Sequence, residues 1–292
     1  MLGFLNINKA SGMTAHDVVA RVRRILKSKQ VGHGGTLDPM ATGVLPIATG
    51  KACRLFRFLS GAKLYVAEIL LGTETTTDDI EGQVTSCTAS MPAQATVADE
   101  LQSMVGSQMQ TPPAFSAIKI DGQRLYSLAR KGAAPAEIPA RPVTIETIEI
   151  LDLALPVVRA RIACSAGTYI RSIARDLGKR LGCGGCLQSL VREASGPFRL
   201  SDSVTLDELC GLAETGSLAS VIVSPADVLD MQKIDLQKNE ASRILKGQRV
   251  RVNGADGHVL ATSAGFPIAV CRTVSEGWLQ PEVVVADGVE VD

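Results

Sequence analysis

Three stretches of the chain carry apolar residues at the spacing of one helical face, and a threonine precedes each of them. We expect an amphipathic helix after Thr14, after Thr96 and after Thr168, each capped by its threonine. Gly106 and Gly182 are the expected ends of the second and third helices. The apolar positions are Val18, Val22, Ile25 and Leu26, then Val97, Leu101, Met104 and Val105, then Ile170, Ile173, Ala174, Leu177 and Leu181. Capping boxes are expected at Thr14 with Asp17 and at Thr205 with Glu208.

Runs rich in Val and Ile predict strands at residues 64–71, 143–151 and 157–164. Beyond residue 230 the pattern changes. After a short helix at residues 239–246, turn dipeptides separate short Val-rich runs, which is typical of a small β domain. We therefore expect a larger α/β domain at residues 1–230 and a small β-rich domain at residues 231–292.

Two segments interrupt these periodic patterns. Residues 32–43 are glycine-rich and predict a loop, in which Asp38 is the only acid and Pro39 favours an extended backbone at Asp38. Residues 111–141 begin with Thr-Pro-Pro, end among further prolines and carry several cations between them. This composition indicates a basic excursion from the core.

The charge of the chain is balanced overall but unevenly distributed. The 292 residues carry a formal net charge of +0, and 46% of them are hydrophobic, as in an ordinary soluble globular protein. Cations dominate residues 9–63, whereas residues 64–108 contain acids and no Lys or Arg. Such a distribution can steer an anionic partner, although charge counts alone also fit two solvated faces.

The seven cysteines are scattered, and no secretory segment precedes them, so we expect free thiols and a cytoplasmic location. No apolar run approaches the roughly 20 residues that span a bilayer. Cys183 and Cys186 form a lone Cys-x-x-Cys without further ligands at zinc spacing, which favours an ordinary turn over a metal site. The P-loop and the nucleophile elbow are also missing from the sequence.

Arg171 occupies an unusual position, because it falls in the first turn of the helix expected after Thr168. The helix dipole disfavours a cation there by roughly 0.3–1 kcal/mol. Either an internal carboxylate or a phosphate partners this arginine, or its long side chain bends into water. The residue pattern alone supports both interpretations equally.

Five blocks of sequence, in order over roughly residues 3–200, resemble the TruB-type tRNA pseudouridine-55 synthases. The blocks are Asn-Lys-Ala-Ser-Gly-Met-Thr (8–14), Gly-His-Gly-Gly-Thr-Leu-Asp-Pro-Met-Ala-Thr-Gly (32–43), Leu-Gly-Thr-Glu-Thr-Thr-Thr-Asp (71–78), Gln-Thr-Pro-Pro-Ala-Phe-Ser-Ala-Ile-Lys (110–119) and Cys-Ser-Ala-Gly-Thr-Tyr-Ile-Arg (164–171). The chain departs from the family at Ala10, where proline is usual, and at Ala15, where serine is common. Neither change removes a reacting group.

The resemblance implies an α/β (α+β) pseudouridine-synthase fold with a mixed, largely antiparallel central sheet and a catalytic cleft. A thumb-like insertion would occupy residues 111–141, and the C-terminal domain would be a small β-barrel-like, PUA-like module that binds RNA. The implied activity is isomerisation of uridine 55 in the T-loop of tRNA. The implied enzyme acts as a monomer on the T-arm, and it needs neither cofactor nor metal.

The resemblance also assigns three catalytic residues. Asp38 matches the essential aspartate of the family, and Arg171 matches the arginine that pairs with that aspartate. Tyr65 would stack on the target base and accept the C5 proton directly or through water. Outside the family context, Tyr65 would be read as a half-buried strand residue.

Five further residues are assigned to substrate binding by the same resemblance. His33 would enter the RNA in place of the flipped base, while Tyr169 and Leu190 would line the base pocket. Asp78 matches an acid near the arginine, and Lys9 would support the loop or a phosphate. The ordinary alternatives are a solvent-exposed loop residue for His33, half-buried packing for Tyr169, core packing for Leu190 and a solvated loop carboxylate for Asp78.

Two other functions are compatible with parts of the pattern. One is a tRNA-binding or tRNA-folding chaperone whose catalysis is incidental. The other is a glycosidase acting on free nucleosides, against which the basic surface and the β domain argue, because a small substrate needs neither.

Overall fold

A computed structural model describes residues 2–116, 118–120, 122–133, 135, 137–275 and 277–286. These residues form two compact units. The first unit lies within Met1–Pro39, Gly43–Ser60 and Gly196–Asp292, and the second comprises Met40–Thr42 and Gly61–Ser195.

The helices and strands are numbered in chain order. The helices are α1 (Ala15–Ile25), α2 (Gln94–Gln102), α3 (Leu125–Arg130), α4 (Ile170–Leu181), α5 (Leu206–Glu214), α6 (Pro225–Val228) and α7 (Lys238–Leu245), with 3-10 helices at Gly50–Phe58, Leu200–Asp202 and Leu218–Val221. The strands are β1 (Gly3–Lys9), β2 (Val31–His33), β3 (Thr42–Thr49), β4 (Lys63–Leu71), β5 (Thr73–Thr75), β6 (Val84–Cys87), β7 (Gly106–Gln110), β8 (Lys119–Ile120), β9 (Gln123–Arg124), β10 (Arg141–Ala154), β11 (Val157–Cys164), β12 (Gly185–Ser195), β13 (Phe198–Arg199), β14 (Gln232–Asp235), β15 (Val250–Arg251), β16 (His258–Ser263), β17 (Phe266–Ser275) and β18 (Trp278–Val284).

In the first unit, β3 pairs antiparallel with β1 on one side and with β2 on the other. The C-terminal part forms a five-stranded sheet in the order β14-β16-β17-β18-β15, in which only the β14–β16 pair is parallel. One buried apolar cluster joins β1, β3 and the 50–58 helix to this sheet. It includes Phe4, Val44, Ala48, Leu55, Leu260, Val270 and Val283.

The second unit is built on an antiparallel sheet in the order β12-β4-β11-β10-β7. The apolar face of α4 is buried at Ile170, Ile173, Ala174 and Leu177, as its helical spacing predicts. Together the two units confirm the expected mixed α/β class with largely antiparallel sheets.

Most of the predicted elements are confirmed. The strands predicted at 64–71, 143–151 and 157–164 are β4, β10 and β11, and the short helix predicted at 239–246 is α7. Both capping boxes form, with the side chain of Thr14 accepting from the backbone of Asp17 and that of Thr205 accepting from the backbone of Glu208. Helix α4 ends at Gly182, whose φ of 70° is left-handed.

Two predicted caps are wrong. Helix α2 begins at Gln94 after Ala93, so Thr96 lies inside its first turn. Helix α4 begins after Tyr169, while the hydroxyl of Thr168 shares a 3.4 Å hydrogen bond with the hydroxyl of Ser165. The loop predicted at 32–43 is also shorter than expected, because β2 extends to His33 and β3 begins at Thr42.

No helix among the described residues combines the length and the apolar character needed to cross a bilayer.

The backbone of α4 approaches the chain before β12 so closely at Gly178 that no side chain fits there. A Cβ atom on Gly178 would lie 2.2 Å from both the carbonyl carbon of Gly184 and the amide nitrogen of Gly185. Gly178→Ala should therefore lower the free energy of unfolding by roughly 1–3 kcal/mol. Gly211→Ala is the matched control, because Gly211 is also helical and a Cβ there meets nothing within 4 Å. It should leave stability unchanged or raise it by up to about 1 kcal/mol. Urea unfolding measures both variants, and equal effects would contradict the close approach.

Candidate active site

The loop that carries Asp38 is fixed by a buried lysine. Lys9, at the end of β1, is fully buried, and its ammonium donates hydrogen bonds to the carbonyls of Ala10 at 2.9 Å, Met13 at 2.7 Å and Pro39 at 3.1 Å. The carbonyl of Pro39 also accepts from the amide of Gly12 at 2.9 Å. Because a buried ammonium is tolerated only when it is hydrogen-bonded, this arrangement holds the residue that follows Asp38 in place. The structure thus puts Lys9 in support of the loop and not on the surface, where a phosphate could reach it.

Asp38 itself lies half-buried between two better buried neighbours in sequence. Leu37 is 3% exposed and Ala41 is fully buried, so the loop is anchored on both sides of the carboxylate. The side chain of Asp38 is consequently displayed by a fixed backbone and not by a loose turn.

His33 ends β2 and is half-buried. Its ring meets the ring of His16 edge to face, with centroids 5.4 Å apart, and its Nδ1 accepts from the amide of Gly35 at 3.4 Å. The next residue, Gly34, lies against Phe56, where an added Cβ would come within 2.4 Å of the phenyl ring. A side chain at this position would therefore force the ring of Phe56 to move.

In the second unit, Arg171 is buried and has several acceptors. Its side chain is 5% exposed; Nη1 donates to the carbonyl of Thr77 and Nη2 to the carbonyl of Phe115, both at 2.9 Å. The Oδ2 atom of Asp79 lies 3.5 Å from Nη1. The solvent-exposed alternative for this cation is thus wrong, and the acceptors around it offset its unfavourable place at a helix start.

Two consecutive acids on the loop after β5 take different partners. Asp78, expected near Arg171, pairs through Oδ2 with Nη1 of Arg175 at 2.9 Å and also feels the charge of Arg171, while Oδ2 of Asp79 lies 3.5 Å from Nη1 of Arg171. The backbone at Asp78 is left-handed, with φ of 61°, which is uncommon for a residue other than glycine. Burial raises the pKa of Asp78, and the charge of Arg175 opposes that increase.

The sheet of the second unit places two predicted pocket residues on one face. Tyr65, on β4, is 5% exposed, and Leu190, on β12, is 6% exposed. Leu190 lies opposite Ala67, which is two residues from Tyr65 and therefore on the same face of the strand. Tyr169 precedes α4, and its backbone amide and carbonyl both bond the side chain of Gln110, at 2.8 and 3.1 Å.

Two cations on this face were missed by the sequence reasoning. Arg192 is fully buried directly opposite Tyr65 in the register. Lys63, two residues before Tyr65, has a pKa lowered to about 8, first by burial and then by the charge of Arg192. Strand alternation from Tyr65 and Leu190 would have found both residues, because each lies two positions away.

Across the part of the chain that the structure describes, no three His, Cys, Asp or Glu side chains come together in a group that could hold a metal ion. Cys183 and Cys186 are buried free thiols, and burial raises the pKa of Cys186 to about 11.

Comparison with known proteins gives a consistent family. The TruB family pseudouridylate synthase N-terminal domain matches residues 23–170, and the tRNA pseudouridylate synthase B C-terminal domain matches residues 171–229. A tRNA pseudouridine synthase B of Acaryochloris marina is 44% identical over 98% of this chain and 99% of its own length. The corresponding protein of Gloeobacter violaceus is 43% identical over 98% and 99%.

A solved structure described as a Cbf5-Nop10-Gar1 complex contains a chain with the same fold. It superposes with a TM-score of 0.74 at 24% identity, covering 97% of this chain and 85% of that one. The family matches and this superposition together confirm the pseudouridine-synthase fold that the sequence resemblance implied. With two family domains matched in order and relatives similar along nearly the whole length, this chain belongs to the TruB family of pseudouridylate synthases.

Proposed function

We propose that this chain isomerises uridine to pseudouridine at position 55, in the T-loop of tRNA, with Asp38 as the reacting carboxylate. Isomerisation of uridine in tRNA is the activity named for relatives that match nearly the whole chain. The observation that carries the assignment to Asp38 is the clamped loop, in which Lys9 fixes the carbonyl of Pro39 and so the backbone beside the acid.

The reaction breaks the N1–C1′ bond, turns the uracil and joins C5 to C1′. Positive charge develops at the sugar when a glycosidic bond breaks, and a carboxylate can stabilise or trap it. The C5 proton leaves and N1 regains one, so atoms and electrons balance without an oxidant or a reductant. The reaction as written therefore needs no redox cofactor.

Three side chains complete the proposed chemistry. Arg171 keeps a carboxylate ionised and aimed, and its two bonds to the carbonyls of Thr77 and Phe115 support a fixed, charged guanidinium. Tyr65 stacks on the base and accepts the C5 proton directly or through water. Leu190 lies on the same sheet face as Tyr65, as a pocket wall should.

The target base is stacked inside the tRNA elbow and has to be flipped out before it can react. His33 would take the vacated space, and Tyr169 and Asp78 would lie beside the pocket. The basic segment 111–141 and a PUA-like domain at residues 231–292 would hold the T-arm of one tRNA per monomer, mainly through phosphates.

Asp38→Asn should abolish isomerisation while tRNA binding persists, because the amide keeps the shape of the side chain and loses its charge. The assay incubates purified protein with unmodified tRNA and maps pseudouridine in the T-loop. Asp99→Asn makes the same change at an exposed position of α2 and should leave the activity unchanged. Retained turnover in Asp38→Asn would eliminate the proposed role, and the chaperone alternative would be favoured if tRNA folding alone survived.

Arg171→Lys should lower kcat by roughly 100-fold, because a single ammonium cannot reproduce the planar fork that reaches two carbonyls. Arg180→Lys, on the same helix but exposed, is the control and should be active. Single-turnover rates at saturating tRNA compare the two. A rate within about threefold of wild type for Arg171→Lys would show that the fork is dispensable.

Binding of tRNA should weaken steeply with salt, with a log–log slope of about −0.7 to −0.9 for each phosphate contacted. Lys119 and Arg124 are exposed and are paired across the β8–β9 hairpin. The double variant Lys119→Gln/Arg124→Gln should reduce the slope by about 1.4 to 1.8. Filter-binding titrations between low and high salt measure it. A flat dependence in the wild-type protein would contradict docking led by phosphates.

A further inference from the structure

The base of the 111–141 segment is held by side chains from the first turns of α4. The carbonyl of Thr111 accepts from the hydroxyl of Ser172 at 2.9 Å and from Nη2 of Arg175 at 2.8 Å. Four residues further along, the carbonyl of Phe115 accepts from Arg171. The start of the segment is thus bonded to three residues of one helix.

The sequence explains why the start of this segment needs hydrogen-bond donors from another element. Strand β7 ends at Gln110, and Thr111 is followed by Pro112 and Pro113, which have no backbone N–H to continue a ladder. The carbonyls beyond β7 therefore find their partners elsewhere, and α4 supplies them.

Arg175 is the member of this set that also reaches a third segment. Its Nη1 bonds Oδ2 of Asp78 at 2.9 Å while its Nη2 bonds Thr111, and its Nε bonds Oδ1 of Asp176 at 2.9 Å. The pair with Asp78 is largely shielded, with side-chain exposures of 27% and 18%. One planar guanidinium therefore ties the loop that carries Asp78 to the base of the 111–141 segment.

We infer that Arg175 is a positioning residue that fixes the base of the 111–141 segment and so sets the affinity for RNA more than the rate of isomerisation. The inference rests on the proposed contact between that segment and tRNA. Arg175 acts through backbone and not on the reacting base.

The division between affinity and rate follows from which bonds remain when Arg175 is lost. Arg171 keeps its own bonds to Thr77 and Phe115, so the groups assigned to chemistry stay in place once RNA is bound. The segment itself loses one of its attachments at Thr111. The cost of ordering it is then met during binding, and it appears in KM and Kd.

Arg175→Met in the full-length chain should raise KM and Kd for unmodified tRNA by about tenfold, with kcat within about twofold of wild type. Arg180→Met makes the same change on the same helix, at an exposed arginine that bonds Ser103, and it should change neither constant. Arg175→Lys can reach one acceptor but not both at once, so KM should rise by only about threefold. Hydrogen exchange at residues 110–116 should be faster in Arg175→Met than in Arg180→Met.

A fall in kcat with unchanged KM would overturn the inference, as would constants and exchange rates equal to those of Arg180→Met. If Arg175→Met does not fold, the kcat and KM of Arg175→Lys test the inference in the same way. The variant Lys119→Gln/Arg124→Gln separates this inference from the proposed function. Weaker binding in that variant alone means that the segment grips RNA without help from Arg175. Unchanged binding in both variants means that the segment does not grip RNA at all.

Discussion

The ammonium group of Lys9 is the constraint on which the geometry of the Asp38 loop depends. A positive charge removed from water is stable only while each of its donors has an acceptor, and here the acceptors are the backbone carbonyls of Ala10, Met13 and Pro39. Any displacement of Pro39 would leave that charge short of a partner. The loop is therefore held in place by the free-energy cost of leaving a buried ammonium donor unpaired, and not by close packing alone.

A buried cation also holds backbone carbonyls in the second unit, where Arg171 donates hydrogen bonds to two carbonyls of irregular segments. Loops have few backbone partners of their own, and a buried cation can hold several of them at one point. Arg175 extends the arrangement by one helical turn, and Gln110 secures Tyr169 from the other side. The elements that carry the candidate site are thus held largely by polar groups, while apolar packing holds the sheets.

Elements set by local chemistry were predictable from the sequence. The capping box at Thr14 and the left-handed end at Gly182 depend on neighbouring residues only, and both are confirmed. The cap at Thr96 depends on how the chain enters the helix, which the local pattern does not determine. The contacts of Asp78 and Asp79 with α4 join residues far apart in the sequence, so the local pattern does not determine them. Neither Lys63 nor Arg192 stood out, because a charged residue in an apolar run normally indicates a solvated strand edge and not a buried face.

Lys63 binds its proton less tightly in the folded chain than in the unfolded chain. Its pKa is about 8 in the folded state against an ordinary value of 10.5, chiefly because of burial. Between those two values unfolding takes up a proton at this residue, so its contribution favours the folded state progressively as the solution becomes more alkaline. Below about pH 8 the lysine is charged in both states, and the full cost of burying its charge, together with the repulsion from Arg192, remains. At neutral pH this lysine therefore subtracts from the stability of the fold.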